Sequence, residues 1–310
     1  MDGLQGRDIL TLGEFTPDLL TFLLDRVAIQ KRASITAGAN YRPLAGKSIA
    51  VIMLKPSLRT RVSFEVAICR LGGTAVVLGE GSAFSRGETV KDTVKVLERY
   101  VDCIVLRTFA QSHLDEVAEH ASIPVINALS DDYHPCQVLA DLVTIRERKR
   151  VLAGLNVAYV GDGNNMANTL LIGAALTGMN LTIGCPEGHD PLPAALERAK
   201  HFAGFTGAQL SVVRDASTAV ADAEVVMTDT WTSMGQEAEH AARVQTFSPY
   251  RVDSELMAKA APGAIFMHCL PAHRGEEVTD EVIDSRVSAV YDEAENRLHA
   301  QKALLTMVMG

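Results

Sequence analysis

Short apolar runs alternate with amphipathic stretches along the whole of this 310-residue chain. In the first half, four runs have the length and composition of buried strands, namely 49–54, 74–78, 103–106 and 123–126. Between two of them, Val90, Val94 and Leu97 recur at helical spacing in the segment 88–100. Strands that alternate with helices in this way predict a parallel sheet covered by helices on both faces.

The alternation restarts after residue 150. Further strands are predicted, with helices between them, at 155–160, 180–185, 209–213, 224–228 and 264–267. A chain of this length is typical of about two domains. We therefore predict an α/β fold of two doubly wound parallel-sheet domains joined by inter-domain helices. The first domain is predicted to span 1–150 and the second 151–291, while a helix over 292–310 folds back to complete the first.

Composition narrows the classes of function. The formal net charge is −9 and there is no long basic run, which argues against nucleic acid or an anionic membrane as a partner. No apolar window reaches about 18 residues, the length of a membrane span, and no signal peptide is expected at the N-terminus. The five cysteines are odd in number and form no Cys-x-x-Cys pair, as is typical of reduced thiols. We therefore expect a cytoplasmic protein.

The turn 55–61 carries the clearest chemical signal. It connects the first predicted strand to an amphipathic helix, with Ser57 at the predicted N-cap. A helix start attracts anions, because its first amides lack partners and the helix dipole is positive there. Arg59 and Arg61 add guanidiniums that match phosphate oxygens, and Thr60 adds a second hydroxyl. An ordinary capped helix with solvated arginines is the alternative, but this concentration of groups favours a site for a small phosphorylated molecule.

Other polar residues stand where predicted strands end. Ligands bind beyond the carboxyl ends of parallel strands, and Arg107 closes the strand 103–106. His134 and Gln137 open a helix, in which Pro135 suits the first position, and they share one face of it. His134 is either a capping or surface residue or part of the site. Its place at a strand end, beside a carboxamide, favours the site.

Two strand ends in the second half also carry reactive side chains. Asp229 follows the strand 224–228, where it serves either a turn or the site. Cys269 follows the last predicted strand, and its ordinary role is that of a small buried hydrophobe. Together with His268 and His273 it suggests zinc, but no second ligand pair stands at zinc spacing, so we predict no metal.

The pair Gly161-x-Gly163 follows the first strand of the second half and suggests a dinucleotide-binding loop. Met166 stands where that fingerprint needs a third glycine, which weakens the interpretation. We prefer a tight turn that presents Asn165 to a crevice. The rival hypothesis is a nicotinamide-dependent oxidoreductase in which Glu187 contacts the ribose.

Taken together, these segments resemble the carbamoyltransferases, and most closely the ornithine carbamoyltransferase family. The resemblance covers nearly the whole chain. It rests on motifs that occur in the family's order: Ser57-x-Arg59-Thr60-Arg61, Arg107, His134-Pro135-Cys136-Gln137, Asp162-Gly163-Asn164-Asn165, Asp229 with Ser233-Met234-Gly235, His268-Cys269-Leu270-Pro271 and Glu293-x-Glu295-Asn296-Arg297.

The resemblance implies transfer of the carbamoyl group from carbamoyl phosphate to the side-chain amine of L-ornithine, giving L-citrulline and phosphate in arginine metabolism. It implies no cofactor and a homotrimer, with these two small molecules and further copies of the chain as partners. The nearest alternatives change the amine to N-acetylornithine, putrescine or aspartate. The segment Ser233-Met234-Gly235, together with Cys269, favours free ornithine.

The resemblance also implies roles for individual residues. Those implied to contact carbamoyl phosphate are Ser57, Leu58, Arg59, Thr60, Arg107, His134, Gln137, Cys269, Leu270 and Arg297. Those implied to contact ornithine are Asn165, Asp229, Ser233 and Met234. The residues implied in the chemistry itself are Arg107, His134, Cys269 and Arg297. In this scheme His134 donates a hydrogen bond to the carbonyl oxygen, and Gln137 accepts one from the carbamoyl amide.

Two positions depart from the family's pattern. Leu58 stands where the family usually has threonine, although the backbone amide at 58 would still serve the phosphate. Ala83 falls near the position of a glutamine that often reaches a neighbouring subunit's site. Ser82, Ser85 and Arg86 are the alternatives for that role.

Overall fold

A computed structural model describes residues 3–36, 41–79, 81, 83–84 and 87–310. The chain divides into two compact units: unit 1 comprises Met1–Val143 and Glu295–Gly310, and unit 2 comprises Thr144–Ala294. Ser82, Ser85 and Arg86, the predicted alternatives in the loop after the second strand, lie outside the described residues.

Unit 1 is built on parallel strands connected by helices. Its strands are β1 (Ser48–Met53), β2 (Thr74–Leu78), β3 (Cys103–Arg107) and β4 (Val125–Leu129). Its helices are α1 (Pro17–Thr36), α2 (Leu58–Arg70), α3 (Val90–Leu97), α4 (Gln111–His120) and the first part of α5 (Pro135–Lys149). The last helix of the chain, Val290–Met309, begins in unit 2 and ends in unit 1.

Unit 2 repeats the pattern. Its strands are β5 (Asn156–Val160), β6 (Asn180–Gly184), β7 (Leu210–Val213), β8 (Val225–Thr228) and β9 (Ile265–His268). Its helices are α6 (Asn165–Thr177), α7 (Pro193–Thr206), α8 (Ala216–Val220), α9 (His240–Phe247), α10 (Ser254–Met257) and α11 (Asp280–Ile283), and the helix Val290–Met309 is α12.

The strand order fixes where a ligand can bind in each unit. Among the described residues, the sheet of unit 1 has the order β2-β1-β3-β4 and that of unit 2 the order β7-β6-β5-β8-β9, and all pairs are parallel. The chain therefore changes direction across the sheet between β1 and β3, and again between β5 and β8. At such a switch point the loops beyond the two strands diverge and leave a crevice. The turns after β1 and β5 both lie at one.

The α/β fold with two parallel-sheet domains is confirmed, and eight of the predicted strands end within one residue of the described ones. The prediction for 123–126 was wrong at both ends, because the strand runs from Val125 to Leu129. The polar Asn127 suggested that the strand had ended. Its side-chain amide is instead buried within the strand and donates a hydrogen bond to the Leu10 carbonyl at 2.8 Å, which satisfies it there.

The helices of the described residues include none that combines the length and apolar character required for a membrane span.

The core of unit 2 gives a stability prediction. Phe266 in β9 is fully buried, whereas Phe205 in α7 is 74% exposed. Phe266→Ala should lower the free energy of unfolding by about 3–5 kcal/mol, because it leaves a cavity. The same change at Phe205 should stay within about 0.5 kcal/mol. Urea unfolding followed by the fluorescence of Trp231, the single tryptophan, reports on this unit; similar losses in both variants would contradict the assignment of the core.

Candidate active site

The turn after β1 has the geometry of an anion site. Ser57 caps α2 and its Oγ accepts a hydrogen bond from the Thr60 amide at 3.3 Å, as predicted. The first amides of a helix have no carbonyl partner within it, so those of Leu58 and Arg59 are available to an anion. The Leu58 side chain is 75% exposed and takes no part in the core. The turn therefore offers backbone donors whatever side chain stands at 58.

Arg59 and Arg61 have different environments. Arg59 is half-buried, and no hydrogen bond or ion pair joins its side chain to another described residue. Arg61 lies on the exposed face of α2 and pairs with Glu65 at 3.0 Å, one helical turn away. The expectation that both guanidiniums serve the turn is therefore wrong for Arg61, since the helical i,i+4 spacing gives it a different partner.

Two buried arginines converge on the Thr60 hydroxyl. Arg107, the last residue of β3, donates from Nη1 to Thr60 Oγ1 at 3.4 Å and from Nε to the Lys55 carbonyl at 3.0 Å. Arg297, on α12, donates from Nη2 to the same oxygen at 3.1 Å. Thr60 itself has no exposed surface. Residues that are far apart in the sequence thus concentrate positive charge at the start of α2.

Gln137 connects this cluster to α5. Its Oε1 accepts a hydrogen bond from Arg297 Nη1 at 2.7 Å, and its Nε2 donates to Asp141 Oδ1 at 2.9 Å. Gln137 therefore lies within the positively charged cluster, and its role as an acceptor from the ligand stays a prediction.

His134 lies directly before α5, which begins at Pro135 as predicted. Burial is the main cause that lowers the pKa of His134 well below 6.5, and the positive charges of Arg297, Arg107 and Lys55 lower it further. The imidazole is therefore neutral near pH 7 and carries one N–H donor. In the same motif, burial raises the pKa of the Cys136 thiol to about 12, which makes that thiol unreactive.

In unit 2, Asp229 is the centre of a second polar cluster. It follows β8, and its carboxylate accepts hydrogen bonds from Asn164 Nδ2 at 2.8 Å and from Cys269 Sγ at 3.1 Å. The predicted residues Asp229 and Cys269, 40 positions apart, are therefore brought together. These hydrogen bonds hold both oxygens of the carboxylate in place. A carboxylate that orients a cationic or amine ligand must be held in this way.

The sequence predicts a binding role for Asn165 on this turn but none for the neighbouring Asn164. Asn165 is half-buried and is the first residue of α6, whereas Asn164 caps that helix and also holds Asp229. An asparagine directly before an apolar helix is a recognisable N-cap signal. The second partner of that side chain could not be read from spacing, because it lies 65 residues away.

No local sequence pattern indicates the structural role of Arg243. This buried residue on α9 donates hydrogen bonds to the Trp231 carbonyl and to the Asp162 carboxylate, so it ties the turn after β5 to the segment 229–235. Its guanidinium also lies 5.1 Å from the centroid of the Phe247 ring. Ser233 and Met234 lie in the segment that Arg243 holds; the Met234 side chain is 43% exposed.

The backbone after β9 adopts an unusual conformation at Leu270. Its φ is +56°, in the left-handed region that few non-glycine residues adopt. The Leu270 amide donates to His268 Nδ1 at 2.9 Å, and His268 Nε2 lies 3.1 Å from Glu277 Oε1. This chain of contacts holds Cys269 and Leu270 in place beside Asp229. Ligand atoms of Asp229, His268 and Cys269 also lie within 4.8 Å of one another, but both nitrogens of His268 already have partners.

The turn Gly161-x-Gly163 does not suit a dinucleotide. A Cβ at Gly163 would lie 2.3 Å from the Asp190 carbonyl carbon, and the Gly163 amide donates to the His189 carbonyl at 3.0 Å. The chain itself therefore occupies the space that a dinucleotide-binding loop leaves for a pyrophosphate. This contact argues against the oxidoreductase hypothesis.

Comparisons with known proteins agree with this arrangement. One family model, described as the carbamoyl-P binding domain of aspartate/ornithine carbamoyltransferase, matches residues 7–147, and a second, described as the Asp/Orn binding domain, matches residues 153–308. The ornithine carbamoyltransferase of Symbiobacterium thermophilum is 51% identical over 311 residues, covering 100% of both chains. That of Oceanobacillus iheyensis is 50% identical and covers 99% of this chain and 95% of its own length.

Solved structures show the same likeness. The structure of ornithine carbamoyltransferase from Pyrococcus furiosus matches with a TM-score of 0.95 and 47% identity, over 99% of this chain and 98% of its own. That from Gloeobacter violaceus matches with a TM-score of 0.89, also at 47% identity, over 99% of this chain and 100% of its own. Because family models span both halves of the chain and full-length relatives are about half identical to it, the chain belongs to the aspartate/ornithine carbamoyltransferase family, among its ornithine carbamoyltransferases.

Proposed function

We propose that this protein transfers the carbamoyl group of carbamoyl phosphate to the side-chain amine of L-ornithine, giving L-citrulline and phosphate. The observation that carries the proposal is the convergence of Arg107 and Arg297 on Thr60 where α2 begins. It is supported by the two family models, which describe a carbamoyl-P binding domain and an Asp/Orn binding domain, and by relatives that are ornithine carbamoyltransferases. Unit 1 is the proposed carbamoyl phosphate-binding domain, completed by α12, and unit 2 is the proposed ornithine-binding domain.

The phosphate is held at the start of α2. Ser57, the backbone amides of Leu58 and Arg59 and the guanidinium of Arg59 supply its hydrogen bonds. Thr60 contributes mainly by fixing Ser57 and the two arginines, because its amide donates to Ser57 Oγ and its hydroxyl oxygen accepts from both guanidiniums. Arg107 then lies between the phosphate and the carbonyl oxygen, where it compensates for negative charge on both.

Negative charge develops on the carbonyl oxygen as the amine attacks and the phosphate departs. Arg107 and Arg297 are donors held by burial and by their hydrogen bonds before the reaction begins, and His134 is a donor held by burial. A preorganised donor to such an oxygen is worth about 3 kcal/mol in comparable enzymes. Three of them make electrostatic stabilisation and positioning the main source of rate enhancement.

The nucleophile must be an uncharged amine. An alkyl ammonium like that of lysine has a pKa of about 10.4, so only about one molecule in 2,500 is neutral at pH 7, a cost of roughly 4.6 kcal/mol. Asp229 and Cys269 are the polar groups that orient this amine, and Asn164 keeps the carboxylate in position. Asn165, Ser233 and Met234 hold the rest of ornithine, and Leu270 lines the reaction centre next to Cys269.

Further features of the proposal concern the setting of the enzyme. We propose that the enzyme acts in the cytoplasm, in arginine metabolism. We also propose that it is a homotrimer and uses no cofactor. Five thiols without a disulfide support a reducing compartment. Large apolar side chains exposed in unit 1, Leu58, Val62, Val76 and Tyr100, support burial of part of this unit against another copy. Light scattering coupled to size-exclusion chromatography measures the number of copies.

The direct test is a colorimetric assay of the ureido product. Purified protein is given carbamoyl phosphate with ornithine, N-acetylornithine, putrescine or aspartate. Citrulline formation with ornithine, at a kcat/KM well above that for the other amines, supports the proposal. Preference for another amine would contradict the substrate assignment, and no turnover with any of them would contradict the activity.

Arg59 and Cys269 are expected to differ in importance. Arg59→Ala removes a donor to the phosphate and should lower kcat/KM by about 10²–10³-fold. Cys269→Ser keeps a polar group beside Asp229 and should cost about tenfold or less. Steady-state kinetics of both variants check this division of roles; equal losses would count against it.

Arg243 is expected to be a positioning residue for ornithine. Arg243→Met breaks the link between Asp162 and Trp231, and should raise the KM for ornithine about tenfold or more while leaving that for carbamoyl phosphate unchanged. Arg198→Met is the matched control, because Arg198 lies 5.3 Å from the Phe202 ring on α7, much as Arg243 lies near Phe247. A parallel rise in both KM values would show a general effect on the fold instead.

The lowered pKa of His134 predicts a pH dependence of stability. The folded protein binds fewer protons at this residue than the unfolded chain, so the contribution is complete above the ordinary value of about 6.5. It is lost as the pH falls below that value towards the lower pKa of the folded state. The free energy of unfolding should therefore decline more steeply below about pH 6.5 in the wild type than in His134→Asn.

Urea unfolding followed by circular dichroism between about pH 5 and pH 7.5 measures this difference. His201→Asn, at an exposed position on α7, is the control and should keep the wild-type slope. Identical slopes in the wild type and His134→Asn would show that the imidazole is not held neutral.

A further inference from the structure

A second cluster of potential ligands lies in unit 2, beyond β9. The chain turns sharply at Gly275, whose φ is +88°, and the Glu276 amide donates to the His273 carbonyl at 2.9 Å. The turn places His273, Glu276 and Glu277 side by side, and each offers one ligand atom within 4.8 Å of the others. Nothing in the proposed reaction uses these three side chains.

His240, at the start of α9, adds a fourth group. Its Nε2 lies 3.4 Å from Glu276 Oε1, and His273 Nδ1 lies 3.7 Å from Glu276 Oε2. Ligands about 2.1 Å from a tetrahedral zinc ion are separated from one another by about 3.4 Å. Each imidazole already has nearly this separation from one oxygen of Glu276. His240 lies outside the set of ligand atoms within 4.8 Å of one another, so its Nε2 must move closer to complete a tetrahedron.

Outer contacts hold these side chains in orientations suited to a metal. His240 Nδ1 lies 3.1 Å from Thr232 Oγ1, which leaves Nε2 directed at Glu276. Glu277 is fully buried; its Oε1 accepts from the His273 amide at 2.5 Å and lies near His268 Nε2. Its Oε2 is buried and has no hydrogen-bond partner among the described residues. Such second contacts are typical of metal-binding histidines and carboxylates.

We propose that His240, His273, Glu276 and Glu277 form a binding site for a divalent first-row transition metal ion. Two imidazole nitrogens and two carboxylate oxygens suit Zn²⁺ or Co²⁺ better than Mg²⁺ or Ca²⁺, which prefer oxygen ligands alone. The side chains of His240 and His273 are 45% and 44% exposed, so an ion can enter from solvent. Once bound, the metal connects the start of α9 to the turn 273–277.

The test uses the full-length protein without a polyhistidine tag, after treatment with a chelator. Isothermal titration measures Zn²⁺ binding, and the visible spectrum of the Co²⁺-loaded protein reports the ligand type. We expect one site with ligand-field bands and no thiolate charge-transfer band. His273→Asn and Glu276→Gln should each raise the Kd for Zn²⁺ about tenfold or more. His201→Asn, an exposed histidine elsewhere in unit 2, should leave it unchanged.

The alternative metal-binding site in unit 2 consists of Asp229, His268 and Cys269. Cys269→Ser should leave Zn²⁺ binding intact, because none of the four proposed ligands is a thiolate. Loss of binding in Cys269→Ser, or a thiolate band in the Co²⁺ spectrum, would overturn the proposal. So would unchanged affinity in both Glu276→Gln and His273→Asn, or no measurable Zn²⁺ binding by the wild type. Circular dichroism of each variant shows whether the fold is retained. If His273→Asn does not fold, the Zn²⁺ affinity of Glu276→Gln, which conserves the shape of the side chain, decides the test.

Discussion

The convergence of two buried guanidiniums on one hydroxyl oxygen determines how unit 1 is arranged. Burying an arginine is costly unless its N–H groups find acceptors. Arg107 and Arg297 find theirs in the Lys55 carbonyl, the Thr60 hydroxyl and the Gln137 amide. The start of α2, the end of β3, the start of α5 and helix α12 must therefore keep their relative positions if these bonds are to survive. The same bonds hold the predicted donors in place before any substrate arrives.

That concentration of positive charge also sets the chemical state of its neighbours. His134 is neutral because it is buried and because the charges of Arg297, Arg107 and Lys55 oppose a further proton. A neutral imidazole can donate one hydrogen bond to an oxygen without binding the phosphate as a counter-ion. Arg59, whose side chain has no partner among the described residues, is the guanidinium proposed to bind the anion itself. Charge within one cluster is thus divided between groups that fix the structure and a group available to the ligand.

In unit 2, the corresponding polar cluster is built around the carboxylate of Asp229. Asp229 is held by Asn164 and Cys269, and Arg243 restrains the segment that follows it through Trp231 and Asp162. The outer layer of contacts extends to His268, Glu277 and the turn 273–277, where the proposed metal ligands lie. The positively charged cluster of unit 1 and the carboxylate cluster of unit 2 are the groups proposed to bind the phosphorylated donor and the amine acceptor.

The sequence by itself determined the fold class, most strand boundaries and the helix starts at Ser57 and Pro135. Each of these depends on hydrophobic periodicity or on capping within a few residues, so local pattern is sufficient. It also placed polar residues at strand ends, which parallel topology then gathers at one edge of each sheet. Only the tertiary structure decided which side chains meet: Thr60 with Arg297, Asn164 with Asp229, and Arg243 with Asp162. Those pairs are separated by 237, 65 and 81 positions, and partners at such distances depend on strand order and side-chain direction, which no local pattern records.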